Sequence, residues 1–135
     1  MKIDGGCHCG NITYTAEIDP EKVNICHCTD CQQITGTAYR VIVPVPREKL
    51  QMRGGKPKEY VKKTAESGTP RVQAFCPECG TPIYSTSAGE QKVFGLRVGT
   101  IRQRAELSPK KQQWYRSALP WAQDLRAVPQ VAKQA

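Results

Sequence analysis

The chain reads as a mostly β protein, and three observations predict this. Residues 11–18 alternate strictly, placing Ile12, Tyr14, Ala16 and Ile18 on one face of a half-buried strand. Arg71 to Phe75 leads into the tight turn Cys76-Pro77-Glu78-Cys79-Gly80, and Ile83 to Thr86 leads out, a strand–turn–strand unit. No stretch carries the period of a long amphipathic helix, and no repeat or low-complexity tract interrupts the pattern.

The remaining elements follow in order. Asp19-Pro20 turns the chain after the first strand, and Val23 to Cys26 forms a short strand. That strand runs into a polar loop in which Thr29, Asp30, Gln32 and Gln33 surround three thiols, and Gly36 closes the loop. Thr37 to Val45 is rich in β-branched residues but meets Pro44 and Pro46, which predicts an edge strand or the end of one. Pro46 to Leu50 suits a helical turn ended by Gly54-Gly55, and Lys58 to Lys63 suits another strand. Residues 64–70 read as a loop. Lys92 to Val98 is a further strand, with Gly95 and Gly99 marking a bulge or close packing. Residues 108–135 form an extended tail, expected to pack through Trp114, Tyr115 and Trp121.

With 135 residues, the chain suits one domain over 1–135 with a modest core. Its apolar fraction of 39% is low enough that metal crosslinks would contribute to stability. The longest apolar run, Val41 to Val45, is far short of a membrane span. Met1 to Gly6 has no apolar stretch of the kind a secretory leader needs, so a cytoplasmic, reducing location is expected. The net charge of +8 is concentrated in two blocks. The basic loop 47–71 carries eight Lys/Arg against three Glu, and residues 102–135 carry seven against two acids. Neither interleaves aromatics as a base-stacking surface would, so these blocks read as solvated surface rather than a nucleic-acid face.

All seven cysteines fall in three tight clusters: Cys7 and Cys9; Cys26, Cys28 and Cys31; Cys76 and Cys79. Buried hydrophobes would be scattered, and a disulfide framework favours an even count. Zinc ligation accounts for both features, with two ions per chain, one held by four thiolates and one by three. The Cys76/Cys79 turn has the spacing of a zinc knuckle, and the pair Cys7/Cys9, also followed by glycine, is the natural partner. Those four make a closed, structural site. An iron–sulfur cluster would break this partition.

The trio Cys26, Cys28 and Cys31 has one ligand too few. Either a histidine completes it, His8 being better placed than His27, or the fourth position is open, as in catalytic zinc sites; the sequence favours the open position. Three thiolates overcompensate a dication, which makes it a weak Lewis acid for activating water. Holding a substrate thiol as its thiolate is the more natural chemistry, and addition of that thiol to an aldehyde, or the reverse, follows from it. Asp30, His27 and Thr29 are candidates for proton handling.

At these residues the chain resembles the glutathione-dependent formaldehyde-activating enzymes, a domain shared with a centromere protein. Gly6-Cys7-His8-Cys9-Gly10 is similar to the family's opening motif, Cys26-His27-Cys28-Thr29-Asp30-Cys31-Gln32 to its middle one, and Phe75-Cys76-Pro77-Glu78-Cys79-Gly80-Thr81-Pro82 to its closing one. The resemblance implies an Mss4-like folded β-sandwich. It also implies structural zinc on Cys7, Cys9, Cys76 and Cys79 and catalytic zinc on Cys26, Cys28 and Cys31. The implied reaction is of the carbon–sulfur lyase class, joining formaldehyde and glutathione as S-hydroxymethylglutathione. Glutathione contacts stay unassigned, with Arg40, Arg47 and Arg97 unranked candidates for a substrate carboxylate. Two other classes compete: a non-catalytic zinc-stabilised module that uses its basic surface on nucleic acid or protein, and a redox responder that releases zinc on oxidation. An enzyme of this kind is expected to tolerate loss of residues 56–63.

Overall fold

The computed structural model describes Met1–Gln134 and is built on two β-sheets. The smaller contains β1 (Lys2–Gly6), β2 (Ile12–Glu17) and β5 (Leu50–Gly54), in the order β1-β2-β5, with antiparallel pairing throughout. The larger sheet is formed by β3 (Asn24–Cys26), β4 (Arg40–Pro46), β6 (Lys58–Lys62), β7 (Arg71–Phe75), β8 (Pro82–Ser87), β9 (Val93–Arg97) and β10 (Lys111–Gln113). Its order is β10-β3-β4-β9-β8-β7-β6, antiparallel except where β10 joins β3 in parallel. The one α-helix among the described residues is α1 (Thr29–Thr35).

The core forms where the two sheets face each other. Alternation in β2 buries Ile12, Tyr14 and Ala16, and they meet Val43, Val45, Leu96, Phe94, Val72 and Ala74 from the larger sheet. Each of the Ile, Val, Leu and Phe side chains contributes about 1.5–3 kcal/mol on leaving water. Tyr14 takes its hydroxyl inward, where it hydrogen-bonds Thr100 at 2.6 Å, so the buried phenol is not left unpaired. Gly95 permits the close packing expected of it: a Cβ there would lie 2.9 Å from Ile42 Cδ1 and 3.0 Å from Ser85 Oγ. The result is the mostly β, Mss4-like sandwich, and no helix of the described residues is long and apolar enough to cross a membrane.

Several expectations are corrected. β4 is not an edge strand; it lies between β3 and β9. Its prolines are tolerated because β3 pairing ends at Asn24 opposite Ile42. Arg47 N–H donates to Lys92 at 2.8 Å, so odd-numbered positions bond to β9 while Pro44 and Pro46 turn their nitrogens to the unpaired side. The stretch around the three thiols is not a loop, since Thr29 begins α1 and Gly36, at φ 68°, caps its end. Strands β1, β5 and β10 went unanticipated. Arg47–Lys49 does form a helical turn, but β5 follows it before Gly54. The tail aromatics are not buried: Trp114, Tyr115 and Trp121 are exposed. The tail is held instead by the β10 pairing and by Gln32, whose Nε2 donates to the Ser117 carbonyl at 3.0 Å.

Candidate metal centre

The first cysteine group is built from two facing turns. Cys7 follows β1, and its backbone N–H and Sγ both engage Ile12, at 3.0 Å to the Ile12 carbonyl and 3.2 Å from the Ile12 N–H. In the β7–β8 turn, Gly80 adopts φ 78° and its N–H closes on the Cys76 carbonyl at 2.8 Å. His8 N–H donates across to Thr81 Oγ1 at 3.1 Å, joining the turns directly. Cys7, Cys9, Cys76 and Cys79 thus come together with all four sulfurs within 4.8 Å of one another. Cys7 and Cys9 sulfurs are 3.6 Å apart, and Cys9 and Cys76 sulfurs 3.8 Å. Two sulfurs about 2.3 Å from one ion at a tetrahedral angle would be about 3.8 Å apart, so the set fits one ion. The Thr81 hydroxyl, 3.2 Å from Cys79 Sγ, draws that thiol down to about 5 and favours the thiolate a metal needs.

The second group brings together the end of β3 and the start of α1. Cys26 ends the strand, Cys28 is the helix N-cap, and Cys31 lies in the first turn. Cys28 Sγ accepts the Cys31 N–H at 3.2 Å, and Arg40 on β4 donates Nε to Cys31 Sγ at 3.2 Å. All seven cysteines are free thiols, so no disulfide competes. Cys26 is held down to about 7, chiefly by a hydrogen bond from Cys31 and with help from Arg40, against the opposing effect of burial. The same bond pushes the Cys31 thiol up, and burial raises Cys28. Three neighbouring thiols therefore do not ionise together unaided. A soft dication would remove that conflict, and the donor set suits one.

Neither histidine joins this group. His27 is fully buried and faces the tail, its Nε2 2.7 Å from Gln112 Oε1 and its ring edge-on to Tyr39 and Tyr115. It ties β10 to this segment through Gln112. His8 belongs to the other group's turn. Cys28 is the only one of the trio not buried, and it opens into a cavity of about 420 Å³. Thr29 and Asp30 line that cavity from α1, Lys62 and Thr64 from the basic segment, and Trp114 and Arg116 from the tail.

Sequence reasoning missed the last four of these residues, because nothing local marks a loop or tail that folds over a distant helix. Asp30 Oδ2 accepts from Thr64 Oγ1 at 2.7 Å and pairs with Lys62 Nζ at 3.3 Å. The Thr64 hydroxyl first, then Lys62, keeps the Asp30 carboxyl below its usual range. Asp30 is thus an ionised tether for residues 62–67. Lys62 is part of the cavity wall rather than free surface within the segment 56–63. Trp114 adopts φ 56°, rare for a bulky residue and costing about 1–2 kcal/mol. Its ring lies 4.9 Å under the Arg116 guanidinium in the cavity wall. A groove of about 1050 Å³ lies elsewhere, lined by Asp4 and Lys49 among others, and no thiol lines it.

A two-sheet protein carrying one four-thiol and one three-thiol metal-holding group is defined by this geometry. The family model described as glutathione-dependent formaldehyde-activating enzyme matches residues 2–117, and the chain belongs to that family. A solved structure of a Rhodobacter sphaeroides protein is similar in fold, with a TM-score of 0.62 and 17% identity, covering 82% of this chain and 99% of that one.

Proposed function

We propose that the chain is a zinc enzyme of carbon–sulfur lyase type. Cys7, Cys9, Cys76 and Cys79 hold a structural zinc, and Cys26, Cys28 and Cys31 hold a catalytic one. A glutathione-like thiol would bind at this group and add to a small aldehyde such as formaldehyde, or be released from its adduct. Family membership and one observation support this reading: the three-thiol group gains no fourth protein ligand among the described residues, while its half-buried member, Cys28, opens on a cavity. Zinc bound there would supply a site where a thiol sulfur loses its proton at neutral pH.

The chain's own residues do the rest. In the forward direction a sulfur–carbon bond forms, the carbonyl π pair moves to oxygen, and oxygen takes a proton. The thiol proton leaves to solvent through the open cavity, since Asp30 is committed to Lys62 and Thr64. Thr29, next to Cys28, lines the same cavity, and its hydroxyl is the donor we assign to the carbonyl oxygen. Arg40 offsets excess negative charge at Cys31.

Native mass spectrometry with and without millimolar glutathione, on the wild type and on Cys28→Ser, tests the reading. Two zincs in the wild type, one in Cys28→Ser, and glutathione uptake or extraction only at the zinc lost in the variant would support it. If both wild-type zincs ignore glutathione, the site is closed and a non-catalytic binding module is the better description.

A further inference from the structure

The strand register places Cys26, Arg40, Arg97, Gln73 and Arg71 on one face of the larger sheet, opposite the core. Cys26 pairs with Arg40, Ile42 with Arg97, Gly95 with Ser85, Ser85 with Gln73, and Ser87 with Arg71. Helix α1 lies over this face, with Ile34 facing Gln73, Tyr60 and Arg97 across a cavity of about 280 Å³. Arg97 is 7% exposed; its Nη2 donates to Gln73 Oε1 at 2.6 Å, yet its Nε and Nη1 have no acceptor. Arg40 gives Nε to Cys31 Sγ, and its buried Nη1 is likewise without a partner.

Among the described residues none of Arg40, Arg71 and Arg97 has a carboxylate partner. Burial first, and then the charge of Arg40, lowers both Arg71 and Arg97, the latter to about 10. A dication on three thiolates leaves one negative charge in excess, against three guanidinium charges. The face therefore stays positive, and buried guanidinium N–H groups without acceptors are costly unless a ligand supplies them.

We propose that Arg40, Arg71 and Arg97, with Gln73, form an anion subsite behind the three-cysteine group that binds a carboxylate of the thiol substrate. The proposal rests on the thiol-binding reading and extends it by naming the second group the substrate must carry. Planar guanidinium forks match a carboxylate, and Arg97 and Gln73 line that cavity beside the apolar Ile34, Tyr60 and Phe75, while Arg40 links the face to Cys31.

The test uses the zinc-loaded protein and isothermal titration calorimetry with three probes: 3-mercaptopropionate, 2-mercaptoethanol and propionate. The carboxylated thiol is expected to bind about tenfold or more tightly than the neutral one. Arg97→Met and, separately, Arg71→Gln should each narrow that ratio markedly while zinc stays at two per chain. Without ligand, Arg97→Met should melt no lower than the wild type, since it removes a buried charge lacking a partner, whereas a purely structural arginine would lower the melting temperature. Equal binding of both thiols, or an unchanged ratio in both variants, overturns the subsite and leaves the thiol chemistry standing. Propionate binding that is lost in the variants, with neither thiol reaching the zinc, supports the anion subsite but removes its assignment to a thiol substrate along with the enzyme reading. No binding of any probe overturns both.

Discussion

Cys28 differs from Cys26 and Cys31 in being accessible, so in the proposed enzyme it would be the thiol facing the substrate. Trp114 makes a second case for function at single-residue scale. Its left-handed backbone costs energy that glycine would not pay, yet its ring and the stacked Arg116 form the cavity wall. Trp114→Gly is expected to leave thermal stability unchanged or raise it slightly, by about 1 kcal/mol at most, while weakening glutathione uptake. A melting curve read beside glutathione titration checks this; a large stability loss with intact uptake would assign Trp114 to packing instead.

Among the elements, α1 gathers the site because its N-cap and first turn carry one thiol each and its Asp30 reaches the basic segment. Asp30→Ala should release residues 63–70 without removing either metal. Faster amide exchange confined to that segment, with weaker thiol binding, is the expected outcome. A second link joins β1 to the segment after β9, where Arg102 and Gln103 both donate to Asp4. The Arg102 and then the Gln103 hydrogen bonds hold the Asp4 carboxyl below its usual value. A depressed native pKa means that the ionised form favours the fold, so this contribution is present above the unfolded value near 3.8 and fades as pH falls through the native value. Asp4→Ala should therefore destabilise modestly at pH 7, and the gap from wild type should close toward pH 2 in urea titrations. The pair is exposed, so screening keeps the effect small.

Across the whole molecule, the Cys7/Cys9 and Cys76/Cys79 turns belong to different sheets, so a metal between them would staple the sandwich shut. Metal ligation and folding are then one equilibrium. Cys76→Ser should lower the melting temperature by about 10 °C or more, whereas Cys28→Ser should change it far less. Chelator-dependent scans on both variants check the ranking; equal losses would mean that the two groups share the structural role.

What the sequence determined by itself is chemical and local. Thiol clusters two or three residues apart must meet at one point wherever they lie, and strict alternation in 11–18 must make a two-faced strand, so the ligand groups and β2 were legible. Arg40 and Arg97 could be named as candidates but not ranked, because a guanidinium's role depends on what it lacks as well as what it touches. Tertiary structure alone decided the rest. Pro44 looks like an edge signal until a neighbouring strand is seen to stop short of it. Helix α1 is too short to leave a periodic trace, and its N-cap is a cysteine rather than one of the usual capping residues. Lys62, Trp114 and Arg116 reach Cys28 only through strand pairings and turns that join distant segments. Such contacts are set by the packing of the whole chain, and no residue's neighbours in sequence encode them.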